Sequence, residues 1–348
     1  MKKNILLSDL TTIGLGGKAK YFMSCASVDD ILSALNYAKE NKIKVQVMSG
    51  GSNIIFPDDG YDGLVMKIDI KGVNVSEDLQ HVFVNAGAGE NWDEFVEQMI
   101  QKNLTGVECL SGIPGSVGAT PIQNVGAYGQ EVKDTIFSVE AIDRVTLRSI
   151  IFTNEECDFK YRNSRFKSSD PDKYIITEVM FRFKKDKAAV IKYDQLQNYI
   201  ETKIIKFEDL QLNEKLTAIR NAVIGLRKSK SMIIDKADPN SRSCGSFFMN
   251  PVLSKDEFEA FKKKTGEENN MPVFVTGDGF KIPSAWLVEQ AGFRKGYIKG
   301  GVGISGNHSL ALININGTTD ELLSLSDDIE KTIKNKFGLT LKKEPLVV

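Results

Sequence analysis

Histidine is nearly absent from this chain, with only His81 and His308 among 348 residues. Neither belongs to an H-E-x-x-H or similar ligand cluster, and no Ser-His-Asp arrangement is available, so proton chemistry must use other groups. Cysteine is also sparse. Cys25, Cys109, Cys157 and Cys244 form no C-x-x-C pair, which argues against a zinc ribbon or dithiol centre and fits reduced thiols in a cytosol. There is almost no net charge: −1 overall gives no general basic field for nucleic acid. Lys262-Lys263-Lys264 reads as a solvated helix face. Long apolar runs are missing as well. The N-terminal Ile5-Leu6-Leu7 stops at once, and nothing approaches the ~20 apolar residues that span a bilayer. The chain reads as cytoplasmic, without membrane or metal.

What is present is the composition of a globular protein, 41% hydrophobic and 26% charged, at a length suited to two or three domains. Two glycine-rich loops carry most of the functional information. Ser49-Gly50-Gly51-Ser52-Asn53 follows the strand-like Lys44–Met48 and leads into Ile54-Ile55-Phe56. Ile113-Pro114-Gly115-Ser116-Val117-Gly118 runs on into Pro121-Ile122-Gln123-Asn124-Val125-Gly126-Ala127-Tyr128-Gly129. Glycines allow close backbone approach, and successive N–H groups form concave anion sites, so two such loops suit a diphosphate-containing cofactor.

The surrounding pattern is α+β. Ser27 is a plausible N-cap for a helix with Ile31, Leu35 and Ala38 on one face. Strands are expected at 45–48, 64–68, 81–86, 135–142, 147–153 and 174–183, the later ones mainly antiparallel. Trp92, Phe95, Val96, Met99 and Ile100 recur at helical spacing and should bury one face. Further helices are expected around Leu216–Leu226 and at 255–264, 284–290 and 320–337, the last stopped by Gly338. The polar Lys184-Lys185-Asp186-Lys187 marks a domain boundary. Gly14-Leu15-Gly16-Gly17-Lys18-Ala19 and Gly301-Val302-Gly303-Ile304-Ser305-Gly306 match the letters of a dinucleotide fingerprint. Neither has the strand before and long helix after that would place a pyrophosphate on a helix N-terminus.

The order of the motifs resembles the bacterial UDP-N-acetylenolpyruvoylglucosamine reductases over nearly the whole chain. It begins at Thr11-Thr12-Ile13-Gly14-Leu15-Gly16-Gly17, takes in both glycine loops and Tyr161-Arg162-Asn163-Ser164-Arg165-Phe166-Lys167, and ends with Cys244-Gly245-Ser246-Phe247-Phe248-Met249-Asn250-Pro251 and Glu344. The resemblance implies noncovalent FAD in a bipartite domain of the vanillyl-alcohol-oxidase (PCMH) type. That domain is expected over 1–184, with sublobes of about 1–70 and 71–184, and an α+β substrate domain over 185–348. The implied partners are UDP-N-acetylglucosamine enolpyruvate and NADPH, in a monomeric enzyme. The implied cofactor contacts are Ser49, Gly50, Gly51, Ser52, Asn53 and Ile54 in the first loop, and Pro114, Gly115, Ile122, Gln123, Gly126 and Tyr128 around the second, together with Arg162.

Reducing a vinyl ether of this kind needs a hydride donor, a cation where negative charge develops, and an acid for the carbon left behind. The resemblance assigns catalysis to Arg162, Ser246 and Glu344. Arg162 offers a planar fork to a carboxylate, with Tyr161 beside it as a positioning group. Ser246 protonates the strongly basic C2 centre, with Phe247 and Phe248 as an apolar wall against water. Glu344 either orients the arginine or, protonated, donates a hydrogen bond. Arg227 and Lys230, one turn apart, suit the UDP diphosphate. Asn250 matches a substrate-contacting asparagine, and Tyr193 resembles the tyrosine on the loop that covers substrate in one subclass. Cys244, without a neighbouring histidine, reads as structural. Other readings are a flavin oxidase of alcohols or sugars, and a nucleotide-sugar binding protein without flavin. Neither glycine loop carries a histidine for covalent flavin, and retention of Arg162, Ser246 and Glu344 together disfavours the second.

Overall fold

Ser27 opens the first helix, α1 (Val28–Glu40), through a reciprocal cap. Its hydroxyl accepts the Asp30 N–H at 3.1 Å, and the Asp30 carboxylate accepts the Ser27 N–H at 3.0 Å. Ile31, Ala34, Leu35 and Ala38 line the buried face. The helix connects strand Lys18–Cys25 to strand Val45–Met48, which runs parallel to Tyr61–Ile68, Val45 opposite Leu64, in a four-stranded sheet completed by Lys2–Leu6. The computed structural model describes residues 1–185, 187–204, 206–265, 271–277 and 279–348.

A second, antiparallel sheet runs in the order Ser149–Thr153, Ile136–Asp143, Tyr174–Lys184, His81–Gly87, Val73–Glu77. Helix α2 (Trp92–Gln101) is capped by Asn91 and buries Trp92, Phe95, Val96, Met99 and Ile100. Phe95 packs on Phe181 of the sheet with ring centroids 4.7 Å apart. The aromatic and methionine stripe is therefore core, as its spacing suggests.

Helices α3 (Asp194–Lys203) and α4 (Leu212–Ser229) stay with this first body. Leu216 joins the core of the sheets, while Ile219, Ala222, Val223 and Leu226 pack with Cys109, Leu196 and Ile200. The compact unit consequently comprises Met1–Ile5, Ala19–Gly50 and Asp62–Ser229, and does not end at the polar stretch 184–187, of which Asp186 lies outside the described residues. A polar run marks a surface connection, whereas unit membership follows the apolar face of α4.

The second unit comprises Leu6–Lys18, Gly51–Tyr61 and Lys230–Val348. Helices α5 (Lys255–Thr265), α6 (Ser284–Gln290) and α7 (Thr319–Phe337) accompany two three-stranded sheets and a parallel pair of Ile54–Ile55 with Leu346–Val347. Gly338, at φ +78°, closes α7. Ile13, Leu15, Ile55, Phe247 and Phe248 share a core with Leu325 and Ile329 of α7. Both letter matches to the dinucleotide fingerprint fall beside strands, Lys18–Cys25 after the first, Val302–Ile304 and Leu312–Asn314 at and after the second.

Candidate active site

In the first unit the two glycine loops touch. The Ser49 and Ser116 hydroxyls lie 2.5 Å apart, and a Cβ on Gly50 would stand 3.0 Å from Gly115 Cα. Gly115 has φ +117° and its carbonyl accepts the Trp92 N–H at 3.2 Å, tying the loop to the start of α2. A pocket opens here, lined by Ser49, Gly50, Gly115 and Ser116 together with Lys67 and Lys71. Crowded glycines, two hydroxyls and two ammonium groups, of which Lys67 is paired with Asp69 of the same lining at 3.3 Å, suit an anionic diphosphate such as that of FAD. Pro114 adjoins Gly115 in the same loop.

Gly51, Ser52, Asn53 and Ile54 belong to the second unit. Gly51 has φ +71°, and a Cβ there would overlap the Leu10 carbonyl, so this glycine is required by packing. Asn53 donates to the Glu344 carbonyl at 3.4 Å, and its own carbonyl accepts the Leu346 N–H at 3.0 Å.

The Tyr161–Lys167 motif grips the segment after the second loop. Ser164 donates to the Ile122 carbonyl at 2.6 Å, Lys167 to the Gln123 side chain at 3.2 Å, and Arg162 Nη2 to the Gly126 carbonyl at 2.7 Å. A side chain at Gly126 would stand 3.3 Å from Arg162 Nη1. The Arg162 guanidinium lies 5.3 Å from the Tyr161 ring centre. Asn124, Tyr128 and Arg162 all have positive φ, at +45°, +48° and +51°.

Tyr128 meets Tyr193 edge-on, ring centroids 5.5 Å apart, beside the contact of Gly129 with Lys192. Burial pushes the Tyr128 phenol up, against the lowering influence of the Arg227 charge. Arg227 donates from Nε to the Gly112 carbonyl at 3.1 Å, and burial draws its guanidinium below the ordinary range, against the charges of Tyr128 and Asp93. Ile122, Gln123, Gly126, Tyr128, Tyr161, Arg162, Tyr193 and Arg227 thus all lie in the first unit. Lys230 is the first residue past α4 and begins the last segment of the second.

In the second unit the segment Lys342–Glu344 pairs with the residues that follow Ser246. Phe248 bridges Lys343 antiparallel, the Glu344 N–H donates to the Phe247 carbonyl at 2.8 Å, and the Met249 N–H to the Lys342 carbonyl at 2.9 Å. Ser246 itself is half-buried and follows Gly245, at φ +73°. Phe247 and Phe248 are 0% and 1% exposed, so they anchor the serine from the core and present no wall to a substrate. Asn250 Oδ1 accepts the Ser284 N–H at 2.8 Å, fixing the start of α6. Burial pushes the Cys244 thiol up to about 12, leaving it protonated and inert at neutral pH.

Two residues of the quoted motifs, Asn124 and Thr12, have organising roles that sequence reasoning did not assign. Fully buried Asn124 donates to the Glu131 carboxylate at 3.0 Å and the Lys160 carbonyl at 3.1 Å, and accepts the Lys133 N–H at 3.2 Å. Thr12 donates to the Ser243 carbonyl at 2.8 Å, which gives the N-terminal motif a structural duty three residues before Ser246. Among the described residues no group of three or more His, Cys, Asp and Glu could hold a metal ion, and no helix is long and apolar enough to cross a membrane.

Residues 19–145 match the family model described as FAD binding domain, and residues 238–348 that described as UDP-N-acetylenolpyruvoylglucosamine reductase, C-terminal domain. A Thermobifida fusca protein named UDP-N-acetylenolpyruvoylglucosamine reductase is 41% identical over 354 residues, covering 99% of this chain and 97% of the relative. Its namesake from Flavobacterium johnsoniae is 39% identical, covering 100% and 99%. The solved UDP-N-acetylenolpyruvylglucosamine reductase of Thermus caldophilus superposes with a TM-score of 0.66 at 21% identity, covering 99% and 97%, a likeness of fold.

Proposed function

The chain belongs to the UDP-N-acetylenolpyruvoylglucosamine reductase family, and from that premise we propose how its residues divide the reaction. The enzyme uses FAD and NADPH to reduce UDP-N-acetylglucosamine enolpyruvate to UDP-N-acetylmuramate, in peptidoglycan precursor synthesis. When bound, FAD would be held by the two glycine loops and would supply the hydride chemistry between NADPH and the enolpyruvyl group. The chain's own residues then deal with the charge left at C2 and in the carboxylate.

Arg162 holds that carboxylate. Its planar fork matches two carboxylate oxygens, while Tyr161 and the Gly126 carbonyl set its direction. Ser246 delivers the proton to C2. A serine hydroxyl is a weak acid, suited only to a strongly basic carbon, so premature proton loss is avoided. Glu344 supports the developing charge or the groups that carry it. The observation that carries the serine and glutamate assignments is their shared backbone pairing, with Glu344 bonded to the residue after Ser246.

The touching glycine loops support a cofactor role for Ser49, Gly50, Pro114 and Gly115, and the Arg162 clamp supports one for Ile122, Gln123, Gly126 and Tyr128. Ser52, Asn53 and Ile54 complete the first loop's contribution. Lys230, Arg227, Asn250 and Tyr193 bind substrate, with the cations directed at the diphosphate and Tyr193 on the covering loop. A monomer working in the cytoplasm belongs to the same proposal.

The test is direct. Purified protein should be yellow, release flavin on denaturation, and oxidise NADPH rapidly only when the enolpyruvyl substrate is present. Colourless protein, or NADPH oxidation by oxygen at the same rate without substrate, contradicts the reading.

A further inference from the structure

Helix α2 begins with an unusual division of labour. Its first N–H groups are capped by Asn91, whose Oδ1 accepts from Asp93 N and Glu94 N at 2.9 and 3.1 Å. An aspartate at this position ordinarily helps its own helix terminus. Asp93 instead reaches outward: Oδ1 accepts the Gly112 N–H at 2.5 Å and Arg220 Nη1 at 2.6 Å, and Oδ2 accepts Arg220 Nη2 at 2.9 Å. Arg220 is largely buried, 12% exposed, so its fork is ordered rather than waving in solvent.

The peptide gripped in this way cannot hold itself. Gly112 sits at φ +70°, in left-handed backbone, immediately before Ile113-Pro114-Gly115 of the second glycine loop. Its carbonyl is held from the other side by Arg227 Nε at 3.1 Å. Arg220 and Arg227 stand two turns apart on α4, hence on one face, and the helix is placed by Ile219, Val223 and Leu226. Arg227 of α4 and Asp93 of α2, the latter held by Arg220 of α4, thus converge on a single loop residue.

We propose that the Asp93–Arg220 ion pair is a positioning device for the cofactor, fixing the Gly112 peptide and through it the second glycine loop. The inference rests on the reading that this loop binds FAD. It makes α4 part of the cofactor-holding machinery although that helix contributes no glycine loop of its own. Burial opposes ionisation of Asp93, but the hydrogen bonds from Arg220 and Gly112 and the charges of Arg220 and Arg227 hold its carboxyl below the ordinary range, so the pair is fully charged at neutral pH.

The test is FAD affinity of stripped, folded protein, read by flavin fluorescence well below each melting temperature. Asp93→Asn and Arg220→Lys should each weaken FAD binding by about tenfold or more, since small displacements of a preorganised site cost affinity. The double variant should add little to either, because both act through one contact. Arg220→Lys keeps the charge and loses the fork, so it spares Asp93 an uncompensated charge. Variants that melt lower yet bind FAD within about twofold of the parent overturn the proposal, because a purely structural pair moves stability alone. Gly50→Val crowds Gly115 without touching the pair. Weak FAD binding there, with parent-like binding in both pair variants, overturns only the positioning role. Parent-like binding in all three overturns the loop reading as well.

Discussion

Around Arg162 three non-glycine residues, Asn124, Tyr128 and Arg162, hold left-handed backbone, whereas beside Ser246 the left-handed position is taken by Gly245. The first region is kept in place by side chains reaching to carbonyls, from Arg162, Ser164 and Asn124. The second is kept in place by main-chain pairing with the C-terminal segment over two fully buried phenylalanines. Each left-handed non-glycine residue costs about 1–3 kcal/mol and persists only where its surroundings over-determine it. The Arg162 region therefore carries strain held by many polar contacts. The Ser246 region has no such non-glycine residue beside the serine, and rests on the C-terminal segment that also carries Glu344. A fold can place charge by tension and a weak acid by simple pairing, and the two should fail differently when disturbed.

The largest break should come at the strained side. Arg162→Lys keeps a positive charge but loses the fork and the guanidinium contact with the Tyr161 ring. Turnover should fall by about 10²- to 10³-fold, the usual cost of a lost charge-stabilising donor. Steady-state kinetics check this. Activity within tenfold of the parent would mean that charge alone suffices and that the strained turn serves another purpose.

Both regions were only partly legible in the sequence. Helix α6 falls on 284–290 as expected, because Pro283 and Gly292 punctuate it locally. The motif residues around Arg162 and Ser246 were visible because each forms a contiguous string. Asp93 and Arg220 were not visible: 127 positions separate them, and an aspartate in a first helical turn has an ordinary local explanation. The membership of α4 was hidden for a related reason, since its apolar stripe announces burial without naming the partner. The apolar wall expected of Phe247 and Phe248 failed because two consecutive apolar residues in a motif do not say whether their rings face the core or a substrate.

A smaller effect sharpens the contrast, since the ion pair belongs to the first unit. Asp93 has a depressed carboxyl pKa in the folded state, so its stabilisation is fully present above the unfolded value of about 4 and is lost as pH falls through the folded value. The parent should melt about 2–4 °C above Asp93→Asn at neutral pH, as expected for a partly exposed pair contributing about 1 kcal/mol. That gap should close below about pH 4. Thermal melts across pH check it, and a gap that widens in acid reverses the sign.

The most direct test of the division of labour is Ser246→Ala, followed by stopped-flow absorbance in two separate half-reactions. The substitution removes one hydroxyl from a segment held by its backbone, so flavin content and reduction by NADPH should stay near the parent. Transfer to the enolpyruvyl substrate should slow by about 10²- to 10⁴-fold, the contribution of a positioned acid. Near-normal transfer removes Ser246 as the proton donor, and equal slowing of both half-reactions contradicts the assignment of separate tasks to the two regions.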